Sequence, residues 1–209
     1  MLKPVCFLVG TVVSLWFGNT VPALAQPASM TTGPATKGPA ASYAFCRNAP
    51  RECSPIGPRS DAIRLDQARW RDLQEANESV NRTITNGSDM AVYGREDVWT
   101  LPTSGKGDCE DFALLKRKRL VERGWPTSTL LITTVTTSSG EGHAVLTVVT
   151  DQGDYILDSR TSSIELWSRT GYEFYTRQSQ SNPQRWVWIE AAAEAPAAAL
   201  GSPRQTAAW

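Results

Sequence analysis

Gly105-Lys106-Gly107-Asp108-Cys109-Glu110-Asp111-Phe112-Ala113 is the stretch on which the rest of the chain is read. Two glycines give a flexible approach, a cysteine follows between carboxylates, and good helix formers run on from Phe112 to Arg119. A helix beginning at Asp108 or Cys109 is expected, reaching about Arg123 and stopping at Gly124 with Pro126 beyond. A cysteine at that start feels the positive end of the helix dipole, which favours the thiolate, the nucleophilic form. The bland alternative is a buried, inert thiol. Phe112, Ala113, Leu114 and Leu115 are apolar on several sides, so the helix should be buried at its N-terminal end. Lys116-Arg117-Lys118-Arg119 reads as the solvated half of the same helix, its cations complementing the C-terminal dipole.

Working back to the start, Met1-Leu2-Lys3 is a short basic segment, Val5 to Phe17 an apolar run too short to span a bilayer, and Ala23-Leu24-Ala25 a small-residue cleavage site. Residues 1–25 read as a secretory signal peptide, which predicts export to the periplasm or secretion, and no membrane span is expected in the mature chain. Cleavage removes Lys3 and no acid from a chain with 21 basic and 21 acidic residues, so the mature protein is slightly acidic and nucleic acid is not an expected partner. Residues 26–42, rich in Pro, Gly, Ala, Ser and Thr, are expected to form a disordered leader. Residues 43–190 are long enough for one domain with its own core, and the Ala/Pro-rich 191–209 reads as a disordered tail.

Export changes the meaning of the cysteines. Cys6 leaves with the leader, so Cys46, Cys53 and Cys109 remain, an odd number for an oxidising compartment. Cys46 and Cys53 flank a short loop and are the natural disulfide pair. Cys109 is left as a free thiol where free thiols are usually oxidised, which points to use.

Around the motif, Ser60-Asp61 is a plausible helix cap, and Ile63, Leu65, Trp70, Leu73, Ala76 and Val80 give the segment from Asp61 to about Val80 an apolar face. Asp89 to Pro102 has no clear period and reads as a loop. Asn81 reads as a cap or surface residue, with oxyanion donation the sharper alternative. After the central helix, β signals dominate: Thr129 to Thr137, Gly142 to Thr150, Asp154 to Leu157 and Trp186 to Ile189, with Tyr172 to Tyr175 a further candidate. Helices followed by an antiparallel sheet make an α+β domain.

His143 is the one histidine in the chain and opens a predicted strand. A lone histidine and a lone free cysteine in an exported chain form a constellation suited to base-activated nucleophilic attack. If Thr150 to Gly153 is a four-residue turn, Asp158 falls opposite Val145 and diagonal to His143. Diagonal neighbours lie about 7–8 Å apart at the backbone, within reach of an imidazole–carboxylate hydrogen bond. Cys109, His143 and Asp158 then form a cysteine-protease-like triad.

Gly107-Asp108-Cys109-Glu110-Asp111-Phe112-Ala113, His143-Ala144-Val145-Leu146 and Gly153-Asp154-Tyr155-Ile156-Leu157-Asp158 resemble the bacterial transglutaminase-like cysteine peptidases. The likeness spans roughly residues 43–190. It implies a papain/transglutaminase-like core, with the nucleophile at the N-terminus of a central helix packed on an antiparallel sheet. It carries the triad onto Cys109, His143 and Asp158. It also implies calcium dependence through Asp108 and Glu110, a large cell-surface adhesin as substrate, and sequestration by an inner-membrane cyclic-di-GMP receptor. This chain departs from the pattern at Ser159, where an Asn is usual, and in Leu101-Pro102-Thr103-Ser104, which lacks an expected acidic residue.

Asp108, Glu110 and Asp111 have a simpler reading as carboxylates capping a helix start. Three anions beside Cys109 would, however, raise its pKa and oppose activation, and a bound Ca²⁺ would offset that field. The sequence therefore leads to a periplasmic, calcium-dependent cysteine endopeptidase. Two alternatives stand beside it: a transglutaminase-type acyl transferase using the same triad, and a catalytically silent protein-binding module.

Overall fold

The computed structural model describes residues 28–190. The expected signal peptide and tail lie outside the described residues. A seven-stranded sheet carries strands in the order β1-β9-β8-β4-β5-β6-β7, and every neighbouring pair in it is antiparallel. The strands are β1 (Thr32–Thr36), β4 (Leu130–Thr136), β5 (Gly142–Thr150), β6 (Gly153–Leu157), β7 (Glu165–Leu166), β8 (Glu173–Ser179) and β9 (Asn182–Ile189). A two-stranded parallel pair, β2 (Thr85–Asn86) and β3 (Lys106–Gly107), leads into the central helix. The helices are α1 (Ala40–Asn48), α2 (Gln67–Thr83), the short α3 (Asp89–Tyr93) and the central α4 (Cys109–Glu122). The fold is α+β with a papain/transglutaminase-like architecture.

Strand alternation divides the core in two. Leu146 and Val148 of β5, Leu130 and Ile132 of β4, and Trp186 of β9 pack with Leu73 of α2 and Leu114 and Leu120 of α4. Val135, Val145, Ile156 and Ile189 point to the opposite face and are covered by Met30 and Trp167. Helix α4 stops where Gly124 takes φ +87°, a left-handed conformation open to glycine, and Trp125 N–H returns to the Leu120 carbonyl at 3.1 Å.

Four expectations change. Residues 26–42 are not a disordered leader throughout: β1 pairs with β9 through Thr32–Ile189, Ala35–Val187 and Thr36–Trp186, and α1 starts at Ala40. Pro and Gly are tolerated there because β1 is an edge strand. The close approach of Gly38 to Trp186 requires a residue without Cβ, since an added carbon would lie 2.3 Å from the indole. The long helix begins at Gln67, not near Asp61. Asp66 caps it by accepting from Arg69 N–H at 2.9 Å. Ile63 is instead held extended against the β5–β6 turn by bonds to Val149 and Asp151.

The segment read as an aperiodic loop contains α3. Finally, Lys116 and Arg117 are buried, at 0% and 3% exposure, and are not part of a solvated face. Arg117 reaches the carbonyls of Leu130 (3.1 Å) and Glu52 (2.6 Å), tying α4 to β4 and to the disulfide loop. Cys46 and Cys53 are bridged, and Cys109 is free. Among the described residues no helix is long and apolar enough to cross a membrane.

Candidate active site and acidic cluster

Helix α4 places Cys109 in its first turn, half-buried, with Asp108 at the N-cap position. The Cys109 thiol donates to Glu110 Oε2 at 3.2 Å. The sulfur also lies against the backbone of Ala144, the residue after His143 on β5. Burial pushes the thiol well above its ordinary pKa, and the Glu110 carboxylate adds to that; the Ala144 N–H acts in the opposite direction. With these groups alone the sulfur is held protonated.

His143 is buried at the start of β5, and its Nε2 lies 2.7 Å from Asp158 Oδ1. The pairing follows the hairpin register: Thr150 faces Gly153 and Leu146 faces Leu157, so the next positions bring Asp158 opposite Val145. Asp158 accepts two more bonds, from Arg160 N–H onto Oδ1 (3.1 Å) and from the Tyr172 hydroxyl onto Oδ2 (2.6 Å). Burial would raise this carboxyl, but the hydrogen bond and charge of His143, helped by Tyr172 and Arg160, hold it at about 2. Asn81 donates its amide to the carbonyls of Asp158 (2.9 Å) and Thr161 (3.0 Å). It therefore braces the turn that carries Asp158.

A second group gathers on the other side of Cys109. One carboxylate oxygen from each of Asp89, Asp108 and Asp111 lies within 4.8 Å of the others. Asp89 Oδ2 and Asp111 Oδ1 are fixed by the N–H groups of Val98 (2.5 Å) and Thr100 (2.8 Å). Asp89 Oδ1, Asp108 Oδ1 and Asp111 Oδ2 are buried without a hydrogen bond. Burial and mutual repulsion raise all three carboxyls, Asp111 to about 8, and Glu110, against the Asp108 carboxyl, to about 9. Gly107 closes the site, because a Cβ there would meet Asp111 Oδ2 at 2.6 Å.

Buried carboxyl oxygens left without a hydrogen bond are costly, and hard oxygen donors in this number suit a cation such as Ca²⁺, completed by carbonyls or water. The residues present fit that ion. They fit helix capping poorly, since the Asp108 side chain makes no cap bond.

Of the two carboxylates singled out in sequence, Asp108 thus lies in the cluster, while Glu110 reaches the sulfur. Asp89 escaped sequence reading because its partners are remote in the chain. Residues 101–104, directly before the motif, hold no acidic residue, and the third carboxylate of the cluster comes from α3. Tyr172 escaped too. It read as the start of a strand, and only the fold turns its hydroxyl to Asp158.

A cysteine at the head of a central helix, lodged against the strand that bears a histidine paired with a carboxylate just past the next strand, defines a papain/transglutaminase-like cysteine hydrolase class. The chain belongs to the bacterial transglutaminase-like cysteine proteinases, whose family description (BTLCP) matches residues 32–194. Calcium-bound LapG of Legionella pneumophila is similar, at 27% identity over 60% of this chain and 71% of that one, with a TM-score of 0.50. The EGTA-treated form of LapG is 28% identical over 57% and 66%, with a TM-score of 0.48. No curated protein matches.

Proposed function

We propose that this protein is a periplasmic, calcium-dependent cysteine endopeptidase acting through Cys109, His143 and Asp158. The observation that carries this reading is the buried 2.7 Å pair of His143 Nε2 and Asp158 Oδ1, with His143 on the strand against which Cys109 lies. With Nε2–H given to Asp158, the other ring nitrogen, Nδ1, is the acceptor available to the thiol. His143 Nδ1 takes the Cys109 proton as sulfur attacks the scissile carbonyl carbon. The imidazolium returns that proton to the departing amine, and water then hydrolyses the thioester with His143 as base. Asp158 keeps the ring in one tautomer and stabilises its charged form.

Asp89, Asp108 and Asp111 are the residues that would hold calcium, with Glu110 beside them. Bound there, the ion supplies positive charge that offsets the anionic field on the thiol. The substrate proposed is a protein of the surface-adhesin kind, and regulation by an inner-membrane cyclic-di-GMP receptor belongs to the same proposal. The export signal read at 1–25 supports the periplasmic assignment.

The test uses the mature protein with calcium and an unfolded protein substrate. Peptide-bond cleavage is expected, with incorporation of an added primary amine at most a minor product. Cys109→Ala and His143→Ala should each lower turnover by about a thousandfold or more while the fold survives, and Asp158→Asn should retain somewhat more. Near wild-type activity in His143→Ala would sink the triad, since the chain has no second histidine to substitute.

A further inference from the structure

Asp158 has two carboxylate oxygens, and they are held differently. Oδ1 is shared by His143 Nε2 and Arg160 N–H, while Oδ2 takes the Tyr172 hydroxyl at 2.6 Å. The Tyr172 ring also meets the imidazole edge to face, with centroids 5.8 Å apart and planes at 73°. One side chain therefore touches both members of the pair. Its own position is built in: Trp167 O accepts from Thr170 Oγ1 at 2.9 Å, and Tyr172 N–H donates to that hydroxyl at 3.4 Å. Gly171 makes the turn between them at φ +72°.

We infer that Tyr172 is a positioning residue for the triad, locking the Asp158 carboxylate in the plane of the imidazole and walling the ring on its outer side. The inference rests on the triad reading proposed above. A carboxylate free to rotate about its last bond can offer either oxygen, at varying angle, to an imidazole. The phenolic O–H removes that freedom, because turning the carboxylate would break a short charge-assisted bond. Burial and the hydrogen bond to Asp158 hold the Tyr172 pKa well above its ordinary value, so the hydroxyl stays a donor at neutral pH.

The test is Tyr172→Phe, which keeps the ring and deletes the bond. The chain has one histidine, so nitrogen-15 NMR of labelled imidazole reports His143 without an assignment problem. The neutral wild type should show the Nε2–H form. The variant should show both tautomers. Its kcat should fall about tenfold with KM nearly unchanged, the loss expected for one hydrogen bond to a charged group.

Other charges facing this pair are Glu141 and Arg160 on the flanking loops, Cys109 with Glu110 at the head of α4, and Lys116 further along it. All of them are unchanged in the variant. A folded Tyr172→Phe protein with the wild-type tautomer and wild-type kcat overturns the inference. So does one that loses melting temperature alone. Failure of the triad reading itself is distinguishable, because it shows as turnover in Cys109→Ala or His143→Ala and leaves the tautomer measurement untouched.

Discussion

The two sides of the candidate site differ in how completely the protein satisfies them. On the histidine side, both oxygens of Asp158 are hydrogen-bonded, and its carboxyl is held at about 2 although it is buried. On the cysteine side, three buried carboxylate oxygens have no hydrogen bond, and the carboxyls are pushed the other way, to about 8 for Asp111 and 9 for Glu110. Both sides are acidic and both are buried. The difference is the number of donors. One side is preorganised by the chain, whereas the other is a cluster of buried carboxyls short of donors, and burial, with Glu110 beside the sulfur, favours the Cys109 thiol. On the proposed reading, the general acid–base half of the machinery is built in, and activation of the nucleophile is left to a cation that can be added or removed.

Removing calcium is the sharpest way to break this contrast. In chelator, peptidase activity should fall by about a hundredfold or more, and alkylation of Cys109 by iodoacetamide near neutral pH should slow in parallel, with both restored by calcium. Asp89→Ala and Asp108→Ala should weaken calcium binding by calorimetry. In chelator, Asp108→Ala should alkylate faster than wild type, because it also deletes an anion near the sulfur. That opposite sign separates metal control from helix capping. Equal activity and alkylation with and without calcium, and no ion bound, would leave these carboxylates without the proposed role.

Lys116 gives a second contrast within α4. Its Nζ is buried without a hydrogen bond, 5.9 Å from the Phe112 ring centroid, and burial lowers its pKa to about 7 against the raising effect of Asp158. A lysine whose folded pKa is depressed costs stability in full below that pKa. The cost is relieved as pH rises from about 7 towards the unfolded value near 10.4. Lys116→Met should therefore stabilise the fold by a few kcal/mol at pH 6, and by progressively less towards pH 10. Equal denaturant midpoints for wild type and variant at pH 6 would contradict this.

The smallest effect concerns the staple that leads into α4 through Arg117. Replacing Cys46 and Cys53 by Ala should cost about 2–3 kcal/mol in a denaturant melt. Cys109 should stay reduced in active protein, and peptide mass mapping without reductant checks it.

Local sequence determined the central features because they depend on near neighbours. Cys109 at a helix head follows from the glycines and helix formers around it. The period-two alternation of Gly142 to Thr150 and the turn at Asp151-Gln152 fix the hairpin register, and that register alone delivers Asp158 to His143. The Cys46–Cys53 pair follows from export and cysteine count.

Other features were decided only by tertiary structure. Pro and Gly at 33–38 look disordered until β9 supplies hydrogen-bond partners from the far end of the chain. Four consecutive basic residues look solvated until the sheet covers two of them. Asp89 and Tyr172 carry no signal of their own, because their partners lie in other elements. The physical reason is range: capping, turn chemistry and strand alternation act over a few residues. Ladder pairing, burial of charge and the meeting of carboxylates depend on which surfaces come together once the chain is packed.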